Sequence, residues 1–587
     1  MTLLRVLAIC CLLVPTCQAL AARIEVPLRV SLDTLQQALG EQLTGYRDGR
    51  CRFLKLKAPR LEAHDGRLRL TVPGTGALGV EVAGMCQNAA AWRGSLHFTL
   101  APRIDDTGRV RVTIVDSRAS GMAPALWEAG KRHLHPRLEQ FSYDLGASRD
   151  ALAALLRGAA TPVHASAMAQ ALEQLQVLQP QVEATHVVVQ IALEIPDAWL
   201  AAAPSAAAPV APLTEAELEA LEKALEPWDA FLVTIVRQIA THGEDSMLRR
   251  RLFTLLLDSR YQLSALLSGD VQTQGDPLRA LFLETWHELR AILVDARYAV
   301  FVDAAEALAA LETAAPGLPL SVDGLRQLAR SLPPGDTADP LAYDWALDPQ
   351  LGQLFEVEAL PEGEPSPAPP PPQRSWLDFF ISGALADNAL DHWVPTRAEL
   401  ASYGSRVGGV LHKTAASEVE RARLAAPYGQ IYQYLVPTTA LIESCWRQYV
   451  VRGGKVTYLR SQSSSVGIMQ INQRVWRGFY DIERLRWDTA YNIRAGSQIL
   501  ARYLKDYAIP YAERTGKAGD VARAAYAVYN AGPRAVGRID KSPPHPREAR
   551  VDEKLWTLYQ GIAGGGQVDL ATCGVTTRGT SSGARAP

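Results

Sequence analysis

Twice the chain interrupts its own pattern with a run that no packed element accommodates. Ala201 to Pro212 is rich in alanine and proline, and Pro361-Glu-Gly-Glu-Pro-Ser-Pro-Ala-Pro-Pro-Pro-Pro372 is a polyproline-type tether. Proline fixes φ and offers no N–H, so such runs stay extended and separate folded bodies. At roughly 3.1 Å per residue, the second has a reach of about 40 Å. The chain has 587 residues, about four times a common domain length, so several cores are expected. The breaks divide it into an N-terminal α+β domain of unknown role (23–200), a linker (201–212), a helical domain (213–345) and a Pro-rich linker (361–375). A helical lead-in (376–424), a C-terminal block (425–560) and a flexible tail (561–587) complete the multidomain α+β chain.

The first 22 residues read as an export signal. Met1 to Arg5 is a short basic start, Val6 to Val14 is unbroken apolar, and Ala19-Leu20-Ala21 supplies a small-x-small cleavage pattern. Nine apolar residues fall short of the roughly 20 that span a bilayer. The residue types before Cys17 do not suit lipidation. Removing the leader leaves Cys51, Cys86, Cys445 and Cys573, an even number that permits two disulfides in an exported chain. Cys51–Cys86 with Cys445–Cys573 closes the shortest loops, with buried free thiols as the alternative. No CxxC pair or Cys/His cluster is present, and His133 and His135 at i, i+2 point to different sides of a helix. Neither a metal nor a cofactor is expected.

Within 23–200, Arg67 to Val72 alternates with period two, and two apolar runs flank the turn Asp105-Asp-Thr-Gly108. Ser31 is placed to cap a helix carrying Leu32, Leu35, Leu39 and Leu43. A helical stretch around 122–177 precedes a strand group from Val182 to Ile195. The domain reads as a docking or structural module, with an envelope protein or a lipid as its expected partner. Leu213 to about Leu332 has helical periodicity, as in Leu252, Leu255 and Leu256, and reads as an all-helical spacer.

Sixty Lys+Arg against 62 Asp+Glu give a net charge of −2, so the chain as a whole is no polycation and no nucleic-acid partner is expected. Ala425 to Arg550 departs from that average, with 19 Lys/Arg against 9 Asp/Glu, which favours an anionic partner. Here Pro437 is placed to start a helix running to Val450, ahead of Gly453-Gly454. Glu443 lies in it beside Ile442 and Trp446, and a carboxyl among such side chains loses solvation and keeps its proton near neutral pH. That is the state a general acid requires. A lone glutamate on an amphipathic helix is ordinarily just a polar residue, but Glu443 is followed by further motifs.

Those motifs are Glu443-Ser444, Gly467-Ile-Met-Gln470 after Ser463-Ser-Ser465, Asn492-Ile-Arg-Ala-Gly496 and Tyr529-Asn-Ala-Gly532. In this order they resemble the soluble lytic transglycosylase family, over about 425–550. The resemblance implies an all-α, lysozyme-like catalytic domain acting on peptidoglycan glycan strands. It implies Glu443 as the catalytic acid/base, Ser444 beside it holding the substrate, and Gln470 contacting the sugar. Tyr529 would bring its hydroxyl to the catalytic carboxyl, with Met469 and Asn530 lining or bracing the cleft. Val528 and Ile468 stand where the family usually has Ala and Leu. The interval from Glu443 to Gln470 is lengthened by an insertion around Gln448 to Leu459, which either covers one end of the cleft or is a solvated basic loop.

Common glycosidases use two carboxylates, and only Glu443 lies in a motif. The resemblance therefore implies that it first protonates the leaving oxygen and then takes a proton from the sugar's C6 hydroxyl, leaving a 1,6-anhydro end on N-acetylmuramic acid. A hydrolytic muramidase is the alternative if Asp481, Glu483 or Asp488 positions a water. A scaffold that binds glycan or partners through 23–345 is the alternative from another class. With the export signal, the expected location is the periplasm.

Overall fold

The computed structural model describes residues 21–43, 45–47, 51–82, 85–146, 153, 165–196, 215–243, 245–267, 276–293, 298–314, 320–330, 332, 339–344, 346–360 and 390–573. The signal segment up to residue 20, the linker 201–212 and the Pro-rich linker 361–375 lie outside them. The described residues divide into two compact units, Met1–Val210 with Thr273–Ala342, and Ala211–Gln272 with Tyr343–Pro587.

The chain opens with β1 (Ala21–Ser31), α1 (Leu32–Gln42), β2 (Tyr46–Arg47), β3 (Arg52–Leu56), β4 (Arg60–His64), β5 (Arg67–Val82), β6 (Met85–Ile104) and β7 (Val110–Ala119). It continues through α2 (Pro124–Glu139), β8 (Ser142–Tyr143), α3 (Ala165–Glu173), β9 (Gln176–Val177), β10 (Gln181–Val182) and β11 (His186–Pro196). Helices α4 (Glu215–His242), α5 (Ser246–Leu267), α6 (Pro277–Arg290), α7 (Ala299–Ala314) and α8 (Val322–Arg330) follow.

In the first unit an antiparallel sheet runs in the order β2-β3-β5-β6-β7-β8, with β4 also on β5. Period-two patterning sets its inner face. Leu68, Leu70 and Val72 of β5 join Leu96, Phe98 and Leu100 of β6 in one core with Leu35 and Leu39 of α1 and Leu134 and Leu138 of α2. Ser31 caps α1, its hydroxyl accepting from the Thr34 N–H at 3.1 Å. The Asp105–Gly108 turn closes as expected, with Gly108 at φ 78°. The Cys51–Cys86 disulfide is formed, near the end of the β5–β6 hairpin where Val80, Val82 and Met85 are exposed. The 122–177 stretch is not continuously helical among the described residues, since β8 and β9 interrupt it. The strand group from Val182 is likewise two strands, β10 and β11, turned by residues 183–185. β11 pairs with β1 from Ser31↔His186 to Ala21↔Pro196.

The stretch 213–345, expected as one helical domain, is shared between the units. α7 lays Ala307 and Leu311 on Ile24, Val26 and Leu28 of β1. α4 and α5 belong to the other unit, because their buried charges are satisfied there. Arg260 of α5 makes two bonds to Asp229 of α4, at 2.6 and 3.0 Å, and also donates to the carbonyls of Val475 and Arg477. The Arg477 guanidinium donates to the same Asp229, so a fully buried Arg–Asp–Arg cluster ties the hairpin to the C-terminal block.

The second unit also contains α9 (Pro349–Leu354), α10 (Leu400–Ala422), α11 (Ala426–Ser444), the hairpin β12 (Tyr449–Arg452) and β13 (Lys455–Tyr458), β14 (Ser465–Val466) and β15 (Ile471–Asn472). Then come α12 (Gln473–Trp476), α13 (Ile482–Trp487), α14 (Thr489–Tyr503), a π turn at Leu504–Ala508, α15 (Ile509–Thr515), α16 (Val521–Ala531) and α17 (Pro546–Ala563). Residues 561–573, expected in the flexible tail, include ordered elements. α17 runs to Ala563, and the turn Leu570–Thr572 buries Leu570 against Gly404 of α10. Among the described residues, no helix is long and apolar enough to cross a membrane.

Candidate active site

The helix carrying Glu443 differs from the sequence expectation at both ends. It begins at Ala426, so Pro437 lies in its interior rather than its first turn, and it stops at Ser444. The stop has a local cause. Cys445 and Trp446 both adopt left-handed conformations, with φ of 54° and 58°. The Trp446 indole then folds back to donate to the Pro437 carbonyl at 2.9 Å. Glu443 thus sits in the last turn, where the chain reverses.

Glu443 is half-buried, and its Oε1 accepts a hydrogen bond from the Tyr526 hydroxyl at 2.8 Å. Burial raises its pKa to about 7, against opposing effects of that hydrogen bond and of the Lys554 and Arg538 charges. The hydroxyl on the carboxyl is therefore that of Tyr526 and not of Tyr529. Tyr529 donates instead to the Met469 carbonyl at 2.7 Å. Both tyrosines lie on α16, three residues apart and on one face. Tyr526 stands outside the Tyr-Asn-Ala-Gly motif, and its spacing from Tyr529 was the one sequence signal for it.

The other motif residues mostly hold the site together. Ser444 is 4% exposed, and its hydroxyl donates to the Ala440 and Ile468 carbonyls at 3.0 and 2.6 Å. It pins the Gly467–Gln470 turn to α11. Met469 is fully buried, and its N–H donates to Asn492 Oδ1 at 2.9 Å. Gly467 has φ 76°, and a Cβ there would lie 2.3 Å from Asn492 Nδ2 and 2.4 Å from Gln448 Oε1. No other residue fits. Gln448, unmarked in the sequence, is fully buried and accepts from the Ile468 N–H at 2.7 Å. Gln470, with φ 48°, is partly exposed and its amide donates to the Gly467 carbonyl. Asn530 is exposed, its Oδ1 held by Arg538, which is anchored on Asp552.

The insertion at 448–459 is a β-hairpin turned by Gly453 and Gly454, both at positive φ. It exposes Val451 and Val456. The three acidic residues considered for a second role are otherwise engaged. Asp481 accepts from the Arg484 N–H and caps α13, Asp488 accepts from the Tyr491 N–H, and Glu483 pairs with Arg486. The second expected disulfide is not formed. Cys445 and Cys573 are free thiols, adjacent but unjoined, with Cys445 Sγ 3.6 Å from the Cys573 carbonyl oxygen. The hydrogen bond from Cys573 brings the Cys445 thiol down to about 7.

A desolvated carboxyl with a raised pKa at a helix end, faced by a tyrosine hydroxyl and by motif turns braced from below, has the chemistry a general acid requires. Residues 424–550 match the family described as the Transglycosylase SLT domain. At the level of that family, the SLT domain is a lytic transglycosylase acting on peptidoglycan. The match begins just before α11 and ends in α17, so it holds all four motifs and leaves α4, α5 and α10 outside. No curated protein and no solved structure matches the chain.

Proposed function

We propose that the protein cleaves the β-1,4 bond between N-acetylmuramic acid and N-acetylglucosamine with Glu443 as its single catalytic carboxyl. The observation that carries this is the environment of Glu443. It holds its proton near neutral pH, and the charged groups that act on it are the cations Lys554 and Arg538. Among the described residues Asp481, Asp488 and Glu483 are held by other partners, so the group that protonates the leaving oxygen is also the base for the second step. The C6 hydroxyl of the same sugar is the nucleophile. Being already tethered, it closes the 1,6-anhydro ring with the advantage of an intramolecular reaction. Lys554 and Arg538 stabilise the carboxylate formed after the first step.

The basic 425–550 region suits a polymer whose stem peptides carry carboxylates. A periplasmic location, read from the basic and apolar opening of the chain, matches where that polymer lies. The test is mass analysis of fragments released from purified peptidoglycan by the full chain and by Glu443→Gln. Fragments one water lighter than hydrolysis products, absent with the variant, are the expected result. Hydrated reducing ends would make the enzyme a muramidase, and no release by the wild-type chain would favour a scaffold.

A further inference from the structure

Helix α5 lies some 160 residues before the SLT match, yet it touches the SLT motifs directly. From one side, the Tyr261 hydroxyl donates to the Tyr529 carbonyl at 3.2 Å and is 3.2 Å from the Tyr503 hydroxyl. The Tyr261 ring packs on Gly532, where a Cβ would lie 2.7 Å from it. From the other side, one turn further on, Ser264 Oγ donates to the Ser463 carbonyl at 3.3 Å and accepts from Asn472 Nδ2 at 2.7 Å. Asp258, one turn earlier, pairs with Arg534 at 3.7 Å. The π turn Leu504–Ala508 serves the same contact, placing the Tyr507 hydroxyl 2.8 Å from Thr254 Oγ1.

Two turns of one helix therefore bridge the loop around the Gly467–Gln470 motif and the turn in which α16 ends, from Tyr529 to Gly532. Those loops also meet each other, through the Tyr529 hydroxyl on the Met469 carbonyl. We propose that α5 is a positioning element of the transglycosylase site, with Tyr261 and Ser264 setting the separation of the two motif loops and so the fit of the groove to the glycan. The inference rests on the proposed function. It gives the 246–267 segment a role in catalysis that a helical spacer does not have.

The α5 side opposite the loops supplies the control. Ser259 Oγ accepts from the Trp228 indole of α4 at 2.9 Å, so Ser259→Ala weakens the helical hairpin without touching either loop. In the full chain, Tyr261→Phe combined with Ser264→Ala keeps the ring on Gly532 and removes the bridging hydroxyls. The expected result is a fall in kcat/KM of about ten-fold, mostly in KM, the order that follows from losing two positioning hydroxyls. Ser259→Ala should lower the melting temperature comparably and leave kcat/KM unchanged. The same double substitution in a Glu443→Gln background should weaken binding of uncleaved glycan by a similar factor, a readout independent of turnover. Wild-type kcat/KM and wild-type glycan binding in the double variant would overturn the proposal, as would an equal loss in Ser259→Ala. A wild-type chain that releases no anhydro fragments would instead overturn the functional reading.

Discussion

Replacing Tyr526 by Phe removes one oxygen from the site, and its effect can be worked out in advance. The hydroxyl donates to Glu443 Oε1 at 2.8 Å. A hydrogen bond to an ionised acceptor is worth about 1.5–3 kcal/mol, against about 0.5–1.5 for a neutral one. The bond therefore favours the carboxylate over the carboxylic acid by about 1–1.5 kcal/mol, or about one pH unit at 1.36 kcal/mol per unit. Glu443, held at about 7 with the bond in place, should rise to about 8 without it. A general acid works while protonated, so activity is present below this pKa and lost as pH rises through it. The alkaline limb of kcat/KM should thus move from about 7 to about 8 in Tyr526→Phe, whatever happens to the plateau. Fragment release followed from pH 5 to 9.5 measures it. Tyr529→Phe is the comparison, because that hydroxyl goes to the Met469 carbonyl and its limb should stay in place. A limb that stays at 7 or moves down in Tyr526→Phe, or one that moves as far in Tyr529→Phe, would refute the assignment of the acid's partner.

Three further outcomes follow from the buried charges and thiols. Glu443 has a folded pKa of about 7 against the ordinary glutamate value of 4.5, so ionising it costs stability progressively between those pH values, up to about 3 kcal/mol. Glu443→Gln should be more resistant to urea than the wild type at pH 8 and only slightly so at pH 5. Equal midpoints at pH 8 would contradict the desolvation. Asp229→Ala leaves the buried Arg260 and Arg477 uncompensated and should cost about 3–5 kcal/mol in urea unfolding, whereas Arg60→Ala, from an exposed pair, should cost under about 1. The Cys445 thiol, lowered to about 7, should be alkylated before Cys573 at pH 7, with the rate of its modification falling toward pH 5 while the order is kept. Peptide mass analysis after brief iodoacetamide treatment decides this.

Glu443 is legible in the sequence as the candidate acid because its signals are local. Glu443 has Ile442 and Trp446 within one turn, and the motifs behind it keep a fixed order. Ser444, Met469 and Asn530 are legible for the same reason, but the contacts they make are not. Whether a motif serine faces sugar or a neighbouring carbonyl depends on where the Ile468 carbonyl lies, 24 residues away. The choice between Tyr526 and Tyr529 is of the same kind. Both project from one face of α16, and only the rotation of that helix against α11 decides which hydroxyl meets the carboxyl. The end of α11 misled the sequence reading because nothing in Cys445-Trp446 advertises a left-handed pair, a conformation glycine usually supplies.

The helical stretch shows where periodicity stops being informative. Leucine spacing predicts that α4 and α5 are amphipathic, and it says nothing about which core receives them. That choice is made by polar residues that a hydrophobic pattern ignores. Arg260 is 1% exposed and would be untenable against an apolar surface. Beside Asp229 and the Val475 and Arg477 carbonyls its donors are matched. A buried guanidinium that finds its partners in only one place acts as an address as well as a contact. The same helix then carries Tyr261 and Ser264 onto the motif loops, one residue and one turn beyond the arginine. The ion cluster that fixes where α5 docks thereby also fixes the register in which it meets the active site. A shift of one helical position would lose the buried charge pair and the loop contacts together.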